Sequence, residues 1–121
     1  CSTDSQNYLN FFDKLNIKVW NGFDEKIRKD YVRDKNSLRL FHYESIRGLE
    51  GWLVVLDQLD LYYESLINDN ISHNQAIFRI LIALSRPIDT LVITFHDPDS
   101  EFSKQILNIT NKFPDFVERY L

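Results

Sequence analysis

The sequence predicts an all-α fold, an antiparallel four-helix-type bundle whose helices are kinked or broken. Apolar residues recur at three- and four-residue steps through most of the 121 residues, which is the period of one helix face. Only three Gly and three Pro are present, whereas all-β folds need many turns. Because no Gly/Ser/Pro-rich linker divides the chain, we expect one helical domain over residues 1–121, with residues 1–4 as a flexible lead.

The first helical block is predicted over residues 4–33. Its apolar stripe consists of Tyr8, Phe12, Leu15, Val19, Phe23, Ile27 and Tyr31. Asn21-Gly22 is a turn signal, so two helices that meet near residue 21 are an alternative to a single helix. Residues 17–20 also alternate between polar and apolar types, which leaves a short strand there as a second alternative.

The second block is predicted to begin after an N-cap at Asn36 or Ser37 and to end near Asn68. Helical spacing is held by Leu38, Phe41, Ser45, Leu49, Trp52, Leu56, Leu59, Tyr63 and Leu66. Gly48 and Gly51 lie inside this block, and each costs about 1 kcal/mol relative to Ala in a helix interior. We therefore expect a kink there, or the close approach of a neighbouring helix.

The third block follows a predicted cap at Ser72 and ends before Pro87. It is apolar on nearly all faces, which predicts a central, buried helix. Residues 88–95 are ambiguous. Their apolar positions fit a helix face, and we favour a helix, but their β-branched and aromatic residues also suit a strand. A strand would need residues 17–20 or 52–56 as its partner and would make the fold α+β.

The last block is predicted to start in the acidic turn at residues 97–101, because a helix N-terminus favours negative charge. Its apolar register is formed by Phe102, Ile106, Ile109 and Phe113. Pro114 ends it, and Asp115 can cap a final helical turn.

Several function classes are disfavoured by composition and spacing. The net charge of −4 argues against nucleic-acid binding, since contact with phosphates needs a basic surface. Glycines at 22, 48 and 51 cannot form a phosphate-binding loop. His42, His73 and His96 have no metal-ligand spacing, so we expect no metal and no cofactor, and no catalytic residue is singled out.

The lone cysteine is Cys1, and the sequence has no Met. Two interpretations are open. In the first, a signal peptide has been removed and Cys1 carries the lipid of a bacterial lipoprotein, which places the domain in an extracytoplasmic compartment. In the second, Cys1 is incidental and the protein is cytoplasmic. A membrane contact is expected only through a lipid on Cys1, since no apolar run approaches about 20 residues.

An acidic stripe in the second block is the candidate binding site. On a helix with about 100° per residue, the four acids Glu50, Asp57, Asp60 and Glu64 would fall within roughly 80° of arc. The candidate partner-binding residues are Glu50, Leu53, Asp57, Asp60, Leu61 and Glu64. The stripe is either a solvated acidic face beside a core stripe or a docking face for a protein with a basic surface.

We expect a non-enzymatic domain that binds another protein, with an inhibitor or immunity protein as the specific form. This hypothesis is based on small size, acidity and missing catalytic motifs. The alternative is a helical ligand-binding or enzymatic bundle with an aromatic-lined pocket, which requires a closed, polar-lined cavity that holds a histidine beside an acid. A subunit that assembles with itself is a third possibility.

Overall fold

The computed structural model describes residues 2–28, 37–46 and 48–120, with backbone only for residues 2–4. The chain forms two compact units, Cys1–Ile46 and Arg47–Leu121. The described residues contain five α-helices and two sheets, each made of two parallel strands. The fold is therefore α+β, and the predicted all-α bundle is wrong.

The described part of the first unit contains two α-helices, one 3₁₀ helix and a short sheet. Its elements are α1 (Ser2–Lys14), β1 (Val19–Asn21), α2 (Glu25–Arg28), β2 (Leu38–Leu40) and a 3₁₀ helix (Tyr43–Ser45). Strands β1 and β2 are parallel, with Val19 opposite Leu38 and Asn21 opposite Leu40. A strand thus interrupts the predicted first helix, which was the alternative left open at residues 17–20.

Gly22 is buried where β1 ends against the other strand. A Cβ atom at this position would lie 2.3 Å from the carbonyl oxygen of Leu40. The Asn21 side chain accepts a hydrogen bond from the Phe23 N–H (3.1 Å), which closes a tight turn. The Asn-Gly pair therefore ends a strand rather than joining two helices. Of the two predicted caps, Asn36 lies outside the described residues, and Ser37 precedes β2 rather than a helix.

The second unit has the order strand, helix, helix, strand, helix. Its elements are β3 (Gly51–Leu56), α3 (Leu59–Asn68), α4 (His73–Leu84), β4 (Pro87–Ile93) and α5 (Glu101–Thr110). Strands β3 and β4 are parallel. Since parallel neighbours need a long crossover connection, the two helices α3 and α4 are what allows this pairing.

The predicted helix across the second block is wrong, as is the favoured helix at residues 88–95. The stretch from Trp52 to Leu56 is aromatic, β-branched and uncharged, and it pairs along β4. Gly48 has φ +82°, a left-handed conformation that interrupts a right-handed helix. The favourable pairing of two β-prone segments outweighs the helical spacing that both also show.

Helix α4 begins and stops as predicted. The Ser72 side chain accepts a hydrogen bond from the Gln75 N–H (3.3 Å), and the helix ends at Leu84, before Pro87. It is not buried all round, because Phe78 is 62% exposed. One face packs inside, through Ala76, Ile80 and Ala83.

Helix α5 starts at the predicted acidic turn. Ser100 caps it by accepting a hydrogen bond from the Ser103 N–H (3.2 Å). The helix ends at Thr110, and the segment around Asp115 forms a turn without helix. The buried apolar residues of the second unit are Leu56, Leu59, Leu66, Ala76, Ile80, Ala83 and Phe102. Over the described ranges, every helix is too short or too polar to cross a membrane.

Candidate functional site in the second unit

The six candidate partner-binding residues do not share a helix face. Glu50 precedes β3, Leu53 lies within it, and Asp57 follows it, while Asp60, Leu61 and Glu64 lie on α3. Because residues 51–56 are extended, the predicted acidic arc is not formed. Glu50, Leu53, Leu61 and Glu64 are exposed. Cys1 lies outside the described residues, so its lipid attachment stays a prediction.

Asp60 points inward rather than toward a partner. It is 0% exposed, and its carboxylate accepts hydrogen bonds from the backbone N–H groups of His96 and Asp97, both at 2.8 Å. These bonds join the first turn of α3 to the loop that follows β4. A carboxylate that accepts two backbone N–H groups is well compensated for burial. Asp60 therefore positions the two loops at the carboxyl end of the sheet.

Asp57 belongs to the same loop network. The Thr94 hydroxyl donates to Asp57 Oδ1 (2.6 Å) and accepts from the Gln58 N–H (2.8 Å). The Leu59 N–H donates to the Thr94 carbonyl oxygen (3.1 Å). Gln58 has φ +51°, so this network holds a left-handed residue in the turn between β3 and α3.

Ligands of open α/β sheets bind beside the carboxyl ends of the strands, which directs attention to this loop network. Its acids are engaged in fixing the loops, as described for Asp57 and Asp60. Within the described ranges, no three His, Cys, Asp or Glu side chains lie close enough together to hold a metal ion. Likewise, no buried side-chain nitrogen or oxygen of the described part lacks a hydrogen-bond partner. The network is thus a structural brace in this geometry.

One face of the β3–β4 sheet is open. In the register Leu53 lies opposite Thr90, and Val55 lies opposite Val92. We call these four residues the outer face. Leu53 is 61% exposed, Val55 54% and Val92 40%. Parallel sheets are normally covered on both faces, so an exposed apolar face on such a sheet is unusual.

The opposite face is the more enclosed one. Residues alternate in direction along a strand, so Val54 and Leu56 share a face with Leu91 and Ile93. Leu56 is buried, and the other three are half-buried. The sheet therefore has one side that belongs to the core and one that does not.

The two edges of the sheet differ in their protection. β4 begins with Pro87 and contains Asp89, and the register shift puts an extra residue into β4 between Pro87 and Thr90. Proline, charge and bulges are the devices by which sheet edges avoid further pairing. β3 (Gly51–Leu56) has neither charge nor proline, and no third strand pairs with it among the described residues. Its free edge is the unprotected one.

A shallow depression lies between α3 and α4. It has a volume of about 270 Å³ and is lined by Tyr63, Glu64, Ile67, Asn68 and His73. The Tyr63 hydroxyl and His73 Nδ1 are 2.8 Å apart, and the Tyr63 ring stacks on Phe102 at 4.5 Å. The depression is open to solvent, whereas the alternative hypothesis of an enzymatic bundle requires a closed cavity. It offers weak support for that alternative.

Of the four residues of the outer face, the sequence-predicted site includes Leu53 but not Val55, Thr90 or Val92. The sequence did contain a signal for this sheet, because residues 52–56 were named as a possible partner for a strand at residues 88–95. Comparison with protein-family models, curated proteins and solved structures gave no match.

Proposed function

We propose that this protein is a protein-binding domain in which an extended segment of another protein pairs with the free edge of β3 and becomes the third strand of the sheet. The observation that carries the proposal is the unprotected, uncharged edge of β3 beside the exposed outer face. Strand addition of this kind supplies main-chain hydrogen bonds, and side-chain contacts to the sheet face add specificity.

The energetics favour an added strand. A two-stranded sheet alone is only marginally stable, whereas a sheet of three strands with an apolar face is more stable. The side chains of an added strand lie beside Leu53 and Val55 on the outer face, and each such cross-strand pair contributes roughly 0.2–1 kcal/mol. Each backbone hydrogen bond adds about 1 kcal/mol net. Binding also costs the entropy that a short peptide loses when it becomes ordered. We therefore expect a dissociation constant on the order of 1 mM.

Charge favours another protein over a second copy of this chain. Two β3 edges related by a two-fold axis run antiparallel, and the register that pairs the whole strand brings Glu50 of one copy near Asp57 of the other. Like charges opposite each other across strands are destabilising. An inhibitor or immunity protein is one biological form of such binding, and this form remains a prediction from size and acidity.

The test uses a blocked peptide of six alternating Thr and Val residues with two Ser at each end and a short polyethylene glycol tail for solubility. We expect it to slow amide hydrogen exchange at Leu53 and Val55, whose N–H groups face the free edge because those of Val54 and Leu56 face β4. Val55→Lys places a charge in the outer face and should abolish the effect. Phe78→Lys, at a similarly exposed apolar position on α4, is the matched control and should bind normally.

Two results would overturn the proposal. One is a peptide that leaves the exchange of the β3 amides unchanged. The other is a Val55→Lys protein that binds the peptide as tightly as the unmodified chain. A solution mass of twice the chain mass, abolished by Val55→Lys, would assign the edge to a second copy instead.

A further inference from the structure

The pair Asn21-Gly22 in the first unit carries chemistry that the proposed function does not use. Glycine has no side chain, so it leaves its own backbone nitrogen unshielded. Asn21 is the one asparagine of the sequence that precedes a glycine, since the other two glycines follow Arg47 and Glu50. The Gly22 nitrogen can therefore attack the side-chain carbonyl carbon of Asn21, which is the first step of deamidation.

The reaction needs water as its only co-reactant. The Gly22 nitrogen forms a bond to Asn21 Cγ while the bond from Cγ to Nδ2 breaks. The amide proton passes through solvent to the departing nitrogen, so ammonia leaves and a succinimide ring remains. Water then opens the ring at either carbonyl. One product is aspartate, and the other is isoaspartate, in which the main chain runs through the former side chain and is one CH₂ longer.

The folded unit holds the reacting groups away from this path. Gly22 is buried, and its N–H donates to the carbonyl oxygen of Trp20 (3.1 Å), which opposes loss of the proton. The Asn21 side-chain oxygen accepts a hydrogen bond from the Phe23 N–H (3.1 Å), which fixes the orientation of the carbonyl group. Asn21 is also the last residue of β1, opposite Leu40. Ring closure therefore requires this part of the sheet to open.

The close packing at Gly22 determines what the product can do. A Cβ atom there would lie 2.3 Å from the carbonyl oxygen of Leu40, so the chain has no room to spare at this contact. An additional CH₂ in the main chain displaces either Asn21 from its strand partner or Gly22 from its place. Aspartate, by contrast, keeps the length of the main chain and an oxygen for the Phe23 N–H.

We propose that Asn21 is a site of spontaneous deamidation that the folded first unit keeps closed, and that isoaspartate at this position prevents the unit from closing again. Modification then proceeds from the open form, so its rate follows the fraction of time that β1 and β2 are apart. The product makes that opening irreversible.

Mass spectrometry of the tryptic peptide of residues 19–26 measures the reaction, because cleavage after the two flanking lysines isolates Asn21. At mildly alkaline pH we expect the native chain to form isoaspartate at least about tenfold more slowly than the chain in guanidinium, since each 1.4 kcal/mol of opening free energy is about tenfold. Asn70, in an exposed turn before the β-branched Ile71, is the internal control and should react slowly in both states.

A variant that opens the unit tests the mechanism. Phe41→Ala removes a ring that packs on Trp20 at 5.2 Å and leaves the reacting pair unchanged. Deamidation should accelerate by the same factor as amide exchange at Leu38, whose N–H donates to the Lys18 carbonyl oxygen (3.0 Å). If this variant does not fold, its rate should equal that in guanidinium. Phe78→Ala, in the second unit, is the matched control and should leave the rate unchanged.

Three results would overturn the proposal. The first is an equal rate of deamidation in the native chain and in guanidinium. The second is a Phe41→Ala protein in which exchange at Leu38 accelerates and deamidation does not. The third is a purified isoaspartate form that regains slow exchange at Leu38. Asn21→Asp should regain it, and failure of this variant would assign the loss to the new charge rather than to the longer main chain.

Discussion

Replacing Asp60 by Asn tests how the second unit is held together. The carboxylate accepts two backbone N–H groups at 2.8 Å while fully buried. An Asn side chain has one oxygen, so it can satisfy one N–H but turns its own NH₂ donor toward the other. The loss is one hydrogen bond to a charged group, about 1.5–3 kcal/mol, plus a buried donor without a partner. We expect a total loss of about 3 kcal/mol in the free energy of unfolding.

Urea unfolding measures this change. Fluorescence of Trp52 in a Trp20→Phe background reports the second unit alone. Asp69→Asn, at an exposed acid after the same helix, is the matched control and should change stability by less than about 0.5 kcal/mol. Amide exchange at residues 96 and 97 should accelerate in the Asp60 variant. An Asp60→Asn protein within about 0.5 kcal/mol of the unmodified chain would refute the bracing role.

Three further predictions concern local features. Gly22→Ala should lower the stability of the first unit by about 1–3 kcal/mol in thermal unfolding, because its Cβ would lie 2.3 Å from a carbonyl oxygen, whereas Gly51→Ala, with 3.4 Å of clearance, should be tolerated. Burial, with a smaller contribution from the Arg28 charge, lowers the pKa of His42 below 6.5. The folded unit then binds a proton less readily than the unfolded chain, so its stability should fall as pH drops through about 6.5, and an NMR titration that gives an unshifted or raised pKa would contradict this. Ser100→Ala removes the cap of α5 and should cost about 1 kcal/mol in urea unfolding, and an unchanged midpoint would show that the cap is dispensable.

Local chemistry was readable from the sequence. Ser72 and the acidic turn that ends at Ser100 predicted the starts of α4 and α5, and Pro87 predicted the end of α4. Side-chain capping and the missing N–H of proline both act within one turn of the chain, so they can be recognised in a local stretch of sequence. These boundaries are confirmed by the structure.

The sheets were not readable in the same way. Gly51 pairs with Pro87 and Val55 with Val92, and such long-range pairing leaves no mark in a local periodicity. The spacing of apolar residues from Leu49 to Leu66 is compatible with one long helix, and equally with a strand followed by a helix. The β-branched composition favoured strands, but composition alone does not supply a partner.

The candidate site was predicted only in part. Acids near β3 drew attention to the strand that we propose as the binding edge, and Leu53 lies on its outer face. Asp60 could not be recognised as internal, because its partners are backbone N–H groups of a loop far along the chain. An acid that binds backbone looks the same in a sequence as an acid that faces solvent.

Intermolecular NMR contacts between the isotope-labelled protein and the unlabelled Thr-Val peptide test the central claim most directly. Strand addition at β3 predicts backbone cross-peaks between the peptide and residues Trp52, Val54 and Val55, spaced as in a sheet. Cross-peaks to β4 instead, or to the helices alone, would contradict the account.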